Sequence, residues 1–185
     1  MLVDADLDEI ITGKRGMLSG IDGCLETQCL VSAVALIYST IDALSALTRP
    51  IDVPDTTQEI FTNWVREYMD PDNSLRCTAS DLYGARCGVL HNYGSDSRKH
   101  RKGEAKELIY KWRNGPDPDP KRKVPLPKDA TTIIVEDLRD ALQHGINNFY
   151  EAIARTPELK KIVDHHEKEL LCYKPWRSIP IHIAA

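Results

Sequence analysis

One run of apolar residues constrains this chain more than any other feature. Leu138, Leu142, Ile146, Phe149 and Ile153 recur at intervals of 4, 4, 3 and 4. That spacing lines one side of a 3.6-residue helix, so the segment has a stripe to bury against other elements. A second stripe follows the same rule. Leu30, Val34, Ile37, Ile41 and Leu44 step by 4, 3, 4 and 3 in a helix read from Glu26 to about Leu47, ended by Pro50 and Pro54. A helix over about Thr57–Met69 places Ile60, Phe61, Trp64, Val65 and Tyr68 on one face, and Pro71-Asp72-Asn73 turns the chain after it. Thr78 has Asp81 three residues on, an acidic variant of the capping box. A helix is therefore expected from about Ala79 to Leu90, with Leu82, Ala85 and Val89 inward. Thr156-Pro157-Glu158 combines a cap, a proline at the first helical position and a first-turn acid. It opens a last helix through Leu159, Ile162, Val163, His166 and Leu170.

Two segments break the helical period. Leu108, Tyr110 and Trp112 alternate with Ile109 and Lys111, and Thr131-Thr132-Ile133-Ile134-Val135 is β-branched throughout. Both read as strands. Residues 115–128 between them hold five prolines and Lys121-Arg122-Lys123, so the strands are expected to pair as a hairpin with a proline-rich tip. The expected fold is all-α: an antiparallel four-to-five-helix bundle with a small β-hairpin insertion. It forms one domain over 1–185, with a core from about 26 to 170 and a tail from 171 to 185. No internal repeat is visible.

A chain of 185 residues buries enough surface to fold without covalent staples. The cysteines, Cys24, Cys29, Cys77, Cys87 and Cys172, are odd in number and include no C-x-x-C pair. That argues against a disulfide framework and against a zinc ribbon. His165, His166 and Glu169 offer an i, i+4 His–Glu pair with no third ligand nearby, so neither a metal nor a cofactor is expected. The N-terminus has no basic region followed by an apolar one, as a secretory signal would. The most apolar window, Leu30 to Leu47, is long enough to span a bilayer, but it carries Asp42 and four Ser or Thr residues. It reads as a core helix, so a cytoplasmic protein without a membrane partner is expected.

Charge is unevenly distributed. Residues 1–81 hold 5 Lys+Arg against 14 Asp+Glu, whereas residues 98–123 hold 10 basic residues against 4 acidic ones. A basic stretch on an acidic protein is either a footprint for an anionic ligand or a solvated loop.

Just ahead of that stretch lies Asp81-Leu82-Tyr83-Gly84-Ala85-Arg86-Cys87-Gly88-Val89-Leu90-His91-Asn92-Tyr93, which contains Arg-x4-His-x-Tyr. Arg139…His144 and Arg177…His182 repeat the Arg-x4-His spacing. They lie within a periodic helix and within the tail, so both are read as incidental. Arg86 and His91 suit metal-free chemistry on a phosphodiester. An imidazole near neutrality takes a proton from a 2′-hydroxyl. A guanidinium presents a planar, permanently charged fork to phosphate oxygens. Residues five apart on a helix point about 140° apart, so either the helix loosens near His91 or a second protomer completes the site. Gly84 and Gly88, one turn apart, would let another helix approach closely. The plainer alternative is that Arg86 and His91 mark a helix end and pair with the acidic N-terminal half.

This segment resembles the Arg-x4–6-His motif of the HEPN superfamily (higher eukaryotes and prokaryotes nucleotide-binding), whose members are antiparallel helical bundles. Leu82-Tyr83 through His91 is similar to a form found in many bacterial members, although the residue after the arginine, often Asn there, is Cys87 here. The resemblance implies a metal-independent endoribonuclease, in a defence or toxin–antitoxin setting, that leaves 2′,3′-cyclic phosphate ends on RNA. His91 would be the base and Arg86 the cation at phosphorus. Cys87 and Tyr93 would be supporting or regulatory residues, Tyr93 as a target of a nucleotidyltransferase antitoxin. A homodimer is implied, with Arg98, Lys99, Arg101 and Lys102 on the RNA backbone. The alternatives are an RNA- or nucleotide-binding module that does not cut, and a structural or interaction protein.

Overall fold

The computed structural model describes residues 5–113, 115 and 129–170. Its helices, in chain order, are α1 (Ala5–Ile11), α2 (Met17–Glu26), α3 (Leu30–Ala46), α4 (Gln58–Trp64), α5 (Pro71–Ser74), α6 (Ala79–Asn92), α7 (Arg98–Arg101), α8 (Val135–Arg155) and α9 (Pro157–His166). Strands β1 (Leu108–Lys111) and β2 (Thr131–Ile134) precede α8. The expected tail, Cys172, Lys121–Lys123 and Arg177…His182 lie outside the described residues.

The periodic stripes do become buried faces. On α8, Leu138, Leu142, Ile146, Phe149 and Ile153 are all buried. On α3, Val34, Ile37, Ile41 and Leu44 are buried, and this helix touches α2, α4, α6 and α8. Each buried Leu, Ile or Phe in these stripes contributes roughly 1.5–3 kcal/mol of transfer free energy. The segment read as one helix over 57–69 divides into α4 and a π-helical turn at Val65–Met69. That wider turn packs on α8, where a Cβ at Gly145 would sit 2.7 Å from Met69 Cγ and 3.3 Å from Trp64 Cη2. Asn148 Nδ2 donates to the Tyr68 carbonyl at 2.9 Å. Trp64, Tyr68 and Phe149 form a ring cluster with centroids 5.2–5.9 Å apart.

Three expectations need correction. First, β1 and β2 pair in parallel, with Leu108 opposite Thr131 and Lys111 opposite Ile134, so there is no hairpin. Neighbouring strands in sequence pair antiparallel when a short loop joins them. Here residues 112–130 intervene, and a connection of a dozen or more residues is long enough to carry the chain back for parallel pairing. Second, the core begins well before residue 26: Leu7, Ile11, Leu18 and Ile21 of α1 and α2 are buried in it. Third, the basic stretch at 98–101 is one helical turn, α7, capped by the Ser97 side chain, which accepts from the His100 N–H at 3.2 Å. Among the described residues no helix is long and apolar enough to cross a membrane.

Candidate functional site

The motif helix α6 starts where the capping pattern places it. The Thr78 hydroxyl accepts from the Asp81 N–H at 3.1 Å, and the Asp81 carboxylate accepts from the Thr78 N–H at 2.9 Å. Asp81 also accepts from the Lys106 N–H at 2.6 Å, so one buried carboxylate fixes both the start of α6 and the chain returning past it. The return is close because of two glycines. A Cβ at Gly84 would lie 2.8 Å from Ala105 Cβ, and one at Gly88 would lie 2.5 Å from the Gly94 carbonyl oxygen. What approaches these glycines is not another helix of the bundle but the returning chain itself, residues 94–105, which include the single turn α7.

The helix does not loosen between Arg86 and His91. It continues to Asn92 and ends at Tyr93, whose backbone is left-handed at φ 50°. The Tyr93 N–H still bonds the Val89 carbonyl at 3.0 Å, and its side chain is 73% exposed. Arg86 and His91 therefore keep the angular separation of a continuous helix, about 140°, with a rise between them of about 7.5 Å.

Arg86 faces α3. Its Nε donates to both Asp42 oxygens, at 3.0 and 2.7 Å, and its Nη2 lies 2.6 Å from Oδ2. Burial pulls the guanidinium's proton affinity down, but the hydrogen bond and charge of Asp42 carry it above its ordinary value. This is the partnership with the acidic N-terminal half that the plainer reading anticipates for Arg86. His91 differs: it is exposed and has no hydrogen-bond or ion-pair partner among the described residues. Cys87, half-buried, lies between them along the helix and interacts with both Arg86 and Tyr83. Burial, then Cys87, raises the Tyr83 hydroxyl above its ordinary value, while the charges of Arg86 and Lys99 pull it the other way. The structure thus gathers Tyr83, Arg86, Cys87 and Lys99 near one another.

The basic stretch carries its own counter-charges. Lys99 Nζ lies 2.6 Å from Glu104, Arg101 Nη1 lies 2.5 Å from Asp96, and Lys102 lies 3.9 Å from Glu104. His100 sits between Asp96 and Glu107 at 3.3 and 3.9 Å. Asp96 and Glu104 are held below their ordinary values, chiefly by their hydrogen bonds to Arg101 and Lys99. Arg98 is exposed. A cavity of about 400 Å³ beside this stretch is lined by Asp81, His100, Glu104 and Lys106, among others.

Asp42 is the residue that the motif does not reveal, because it lies 44 positions from Arg86. One signal does mark it: it is the only charged residue in the seventeen of α3. Arg139, incidental by its sequence context, pairs with Asp22 at 2.8 and 2.9 Å. Among the described residues, no group of three or more His, Cys, Asp and Glu is placed to hold a metal ion. Family models, curated proteins and solved structures contain no match to this chain.

Proposed function

We propose that this protein is a metal-independent endoribonuclease of the HEPN type, an antiparallel helical bundle acting as a homodimer, with Arg86 and His91 at its centre. The observation that carries the reading is the contrast on α6. An arginine oriented by a carboxylate and an exposed histidine without a partner among the described residues stand five residues apart on one helix. His91 takes the 2′-hydroxyl proton, and the 2′-oxygen attacks the adjacent phosphorus. Arg86 stabilises the charge growing on the phosphate oxygens, and the 5′-oxygen leaves as a hydroxyl, taking a proton from water, to which the imidazolium returns the one it accepted. A 2′,3′-cyclic phosphate remains. Because the two side chains diverge around the helix axis, Arg86 of one protomer works with the exposed histidine of a second copy. Arg98, Lys99, Arg101 and Lys102 contact flanking phosphates, and the acidic partners of Lys99, Arg101 and Lys102 form solvent-accessible pairs that a phosphate displaces at little cost. Tyr93, exposed just past the motif, is the regulatory position open to a nucleotidyltransferase partner.

The test is incubation with RNA in EDTA. Cleavage that survives chelation and yields 2′,3′-cyclic ends is expected; activity lost on chelation and restored by Mg²⁺ or Mn²⁺ points to a different mechanism. One observation favours a second reading, that of a helical interaction protein: Arg86 and most of the basic stretch are neutralised within the chain. RNA affinity at two salt concentrations separates the two, since an interaction protein shows neither binding nor a salt slope.

A further inference from the structure

We infer that Asp42 is a positioning residue for Arg86, holding the guanidinium by its Nε–Nη2 edge so that the Nη1 end meets the substrate phosphate. The inference rests on the ribonuclease reading above. The hydrogen bonds and the ion pair between the two side chains use Nε and Nη2 rather than Nη1, and Cys87 interacts with the same guanidinium. The pair is 24% and 23% exposed, so it borders solvent rather than lying sealed in the core. A lone carboxylate on α3, a helix with no other charged residue, is costly to place at a half-buried position for a pair of small structural value. Its effect on geometry is larger. A free arginine side chain samples many rotamers, and a carboxylate on one edge of the fork leaves it one orientation. The charge of Asp42 also offsets part of the attraction of Arg86 for phosphate. Removing that charge should therefore leave binding of the ground state intact or tighter while the oriented contact in the transition state disappears.

That split distinguishes positioning from mere support of the fold. The experiment compares full-length wild type, D42N, D42E, R86A and R86A/D42N. It measures RNA cleavage in EDTA at saturating and subsaturating substrate. It also measures affinity for a 2′-O-methyl oligonucleotide, which has no nucleophile, and thermal melting. We expect D42N to lose about 100-fold in kcat, the scale of a displaced catalytic group, with KM and oligonucleotide affinity unchanged or improved. D42E should recover part of the rate, and R86A/D42N should be no slower than R86A. Wild-type kcat in a folded D42N overturns the proposal, as does an equal loss on adding D42N to R86A. If D42N does not fold, D42E carries the test, and wild-type kcat in it overturns the proposal. If wild type binds the oligonucleotide but cuts no RNA, the ribonuclease reading fails by itself. Positioning is then read from affinity, which must be no weaker in D42N than in wild type and equal in R86A and R86A/D42N; a D42N that binds more weakly overturns it. If wild type neither cuts nor binds, both readings fall.

Discussion

His91 is exposed near the end of α6 and touches no partner among the described residues, whereas Arg86 is anchored to another helix. Truncating His91 should accordingly cost the fold little. Exposed positions away from caps and networks usually change stability by about 0.5 kcal/mol or less. We expect H91A to melt within a degree or two of wild type while RNA cleavage falls by about 100-fold or more, the scale of a general base. A folded H91A that cleaves at the wild-type rate removes His91 from the mechanism. The two residues also show what a sequence can disclose at this scale. Their identities and spacing are local, so the motif is visible in a single short segment. The Asp42 partnership is not local, and it arises only when α3 and α6 pack. The absence of any other charge on α3 is its sole trace in the sequence.

At the scale of elements, local signals are legible in the sequence and pairing is not. The capping box at Thr78 and Asp81, the proline at the start of α9 and the apolar stripes of α3 and α8 are properties of single segments, and each appears where its residues place it. The direction in which β1 and β2 pair depends on where residues 112–130 take the chain, which no alternation pattern encodes. The short helices α1 and α2 carry too few turns for a period to stand out, although Leu7, Ile11, Leu18 and Ile21 are core residues. The turn α7 is legible only as charge. Its function is open to a direct test, because a phosphate-binding stretch and a self-neutralised one respond differently to salt. Replacing Arg98, Lys99, Arg101 and Lys102 together with Ala should weaken RNA binding and flatten its log–log salt dependence, by about one unit for each phosphate no longer neutralised. The rate on bound RNA should change much less, since such interactions act nearly equally in ground and transition states. An unchanged affinity and slope would mean that this turn serves the chain's own carboxylates, Asp96, Glu104 and Glu107, and not a phosphate.

For the molecule as a whole, the chain is closed by a polar clamp rather than by apolar packing alone. His166, 2% exposed, lies with Nδ1 3.2 Å from Glu169 Oε1 and Nε2 3.1 Å from the Arg49 carbonyl oxygen. Arg49, itself buried, donates to the Glu169 carboxylate and to the carbonyls of Ala46 and Val53. The end of α3 is thereby tied to the end of α9, well over a hundred residues further along. Replacing His166 with Ala removes a buried ring that bridges the Glu169 carboxylate and the Arg49 carbonyl, a loss of roughly 1–3 kcal/mol. The clamp also has a defined response to acid. The hydrogen bond from Arg49, followed by that from His166, holds the Glu169 carboxyl below its ordinary value of 4.5. A carboxyl depressed in the folded state binds its proton more readily in the unfolded chain. Its contribution to stability is therefore complete above the ordinary value and falls away as the pH drops through the folded one. The measurement is the melting temperature of wild type and E169Q from about pH 7 down to about pH 3, which spans that window. Asp96 and Glu104 have the same sign and act in both proteins, so the difference between the curves isolates Glu169. Wild type should be the more stable protein at neutral pH, and the gap should close on acidification, because Gln already resembles the protonated acid. A gap that stays constant with pH would mean that Glu169 supports the clamp by its shape and hydrogen bonding, with no share carried by its charge.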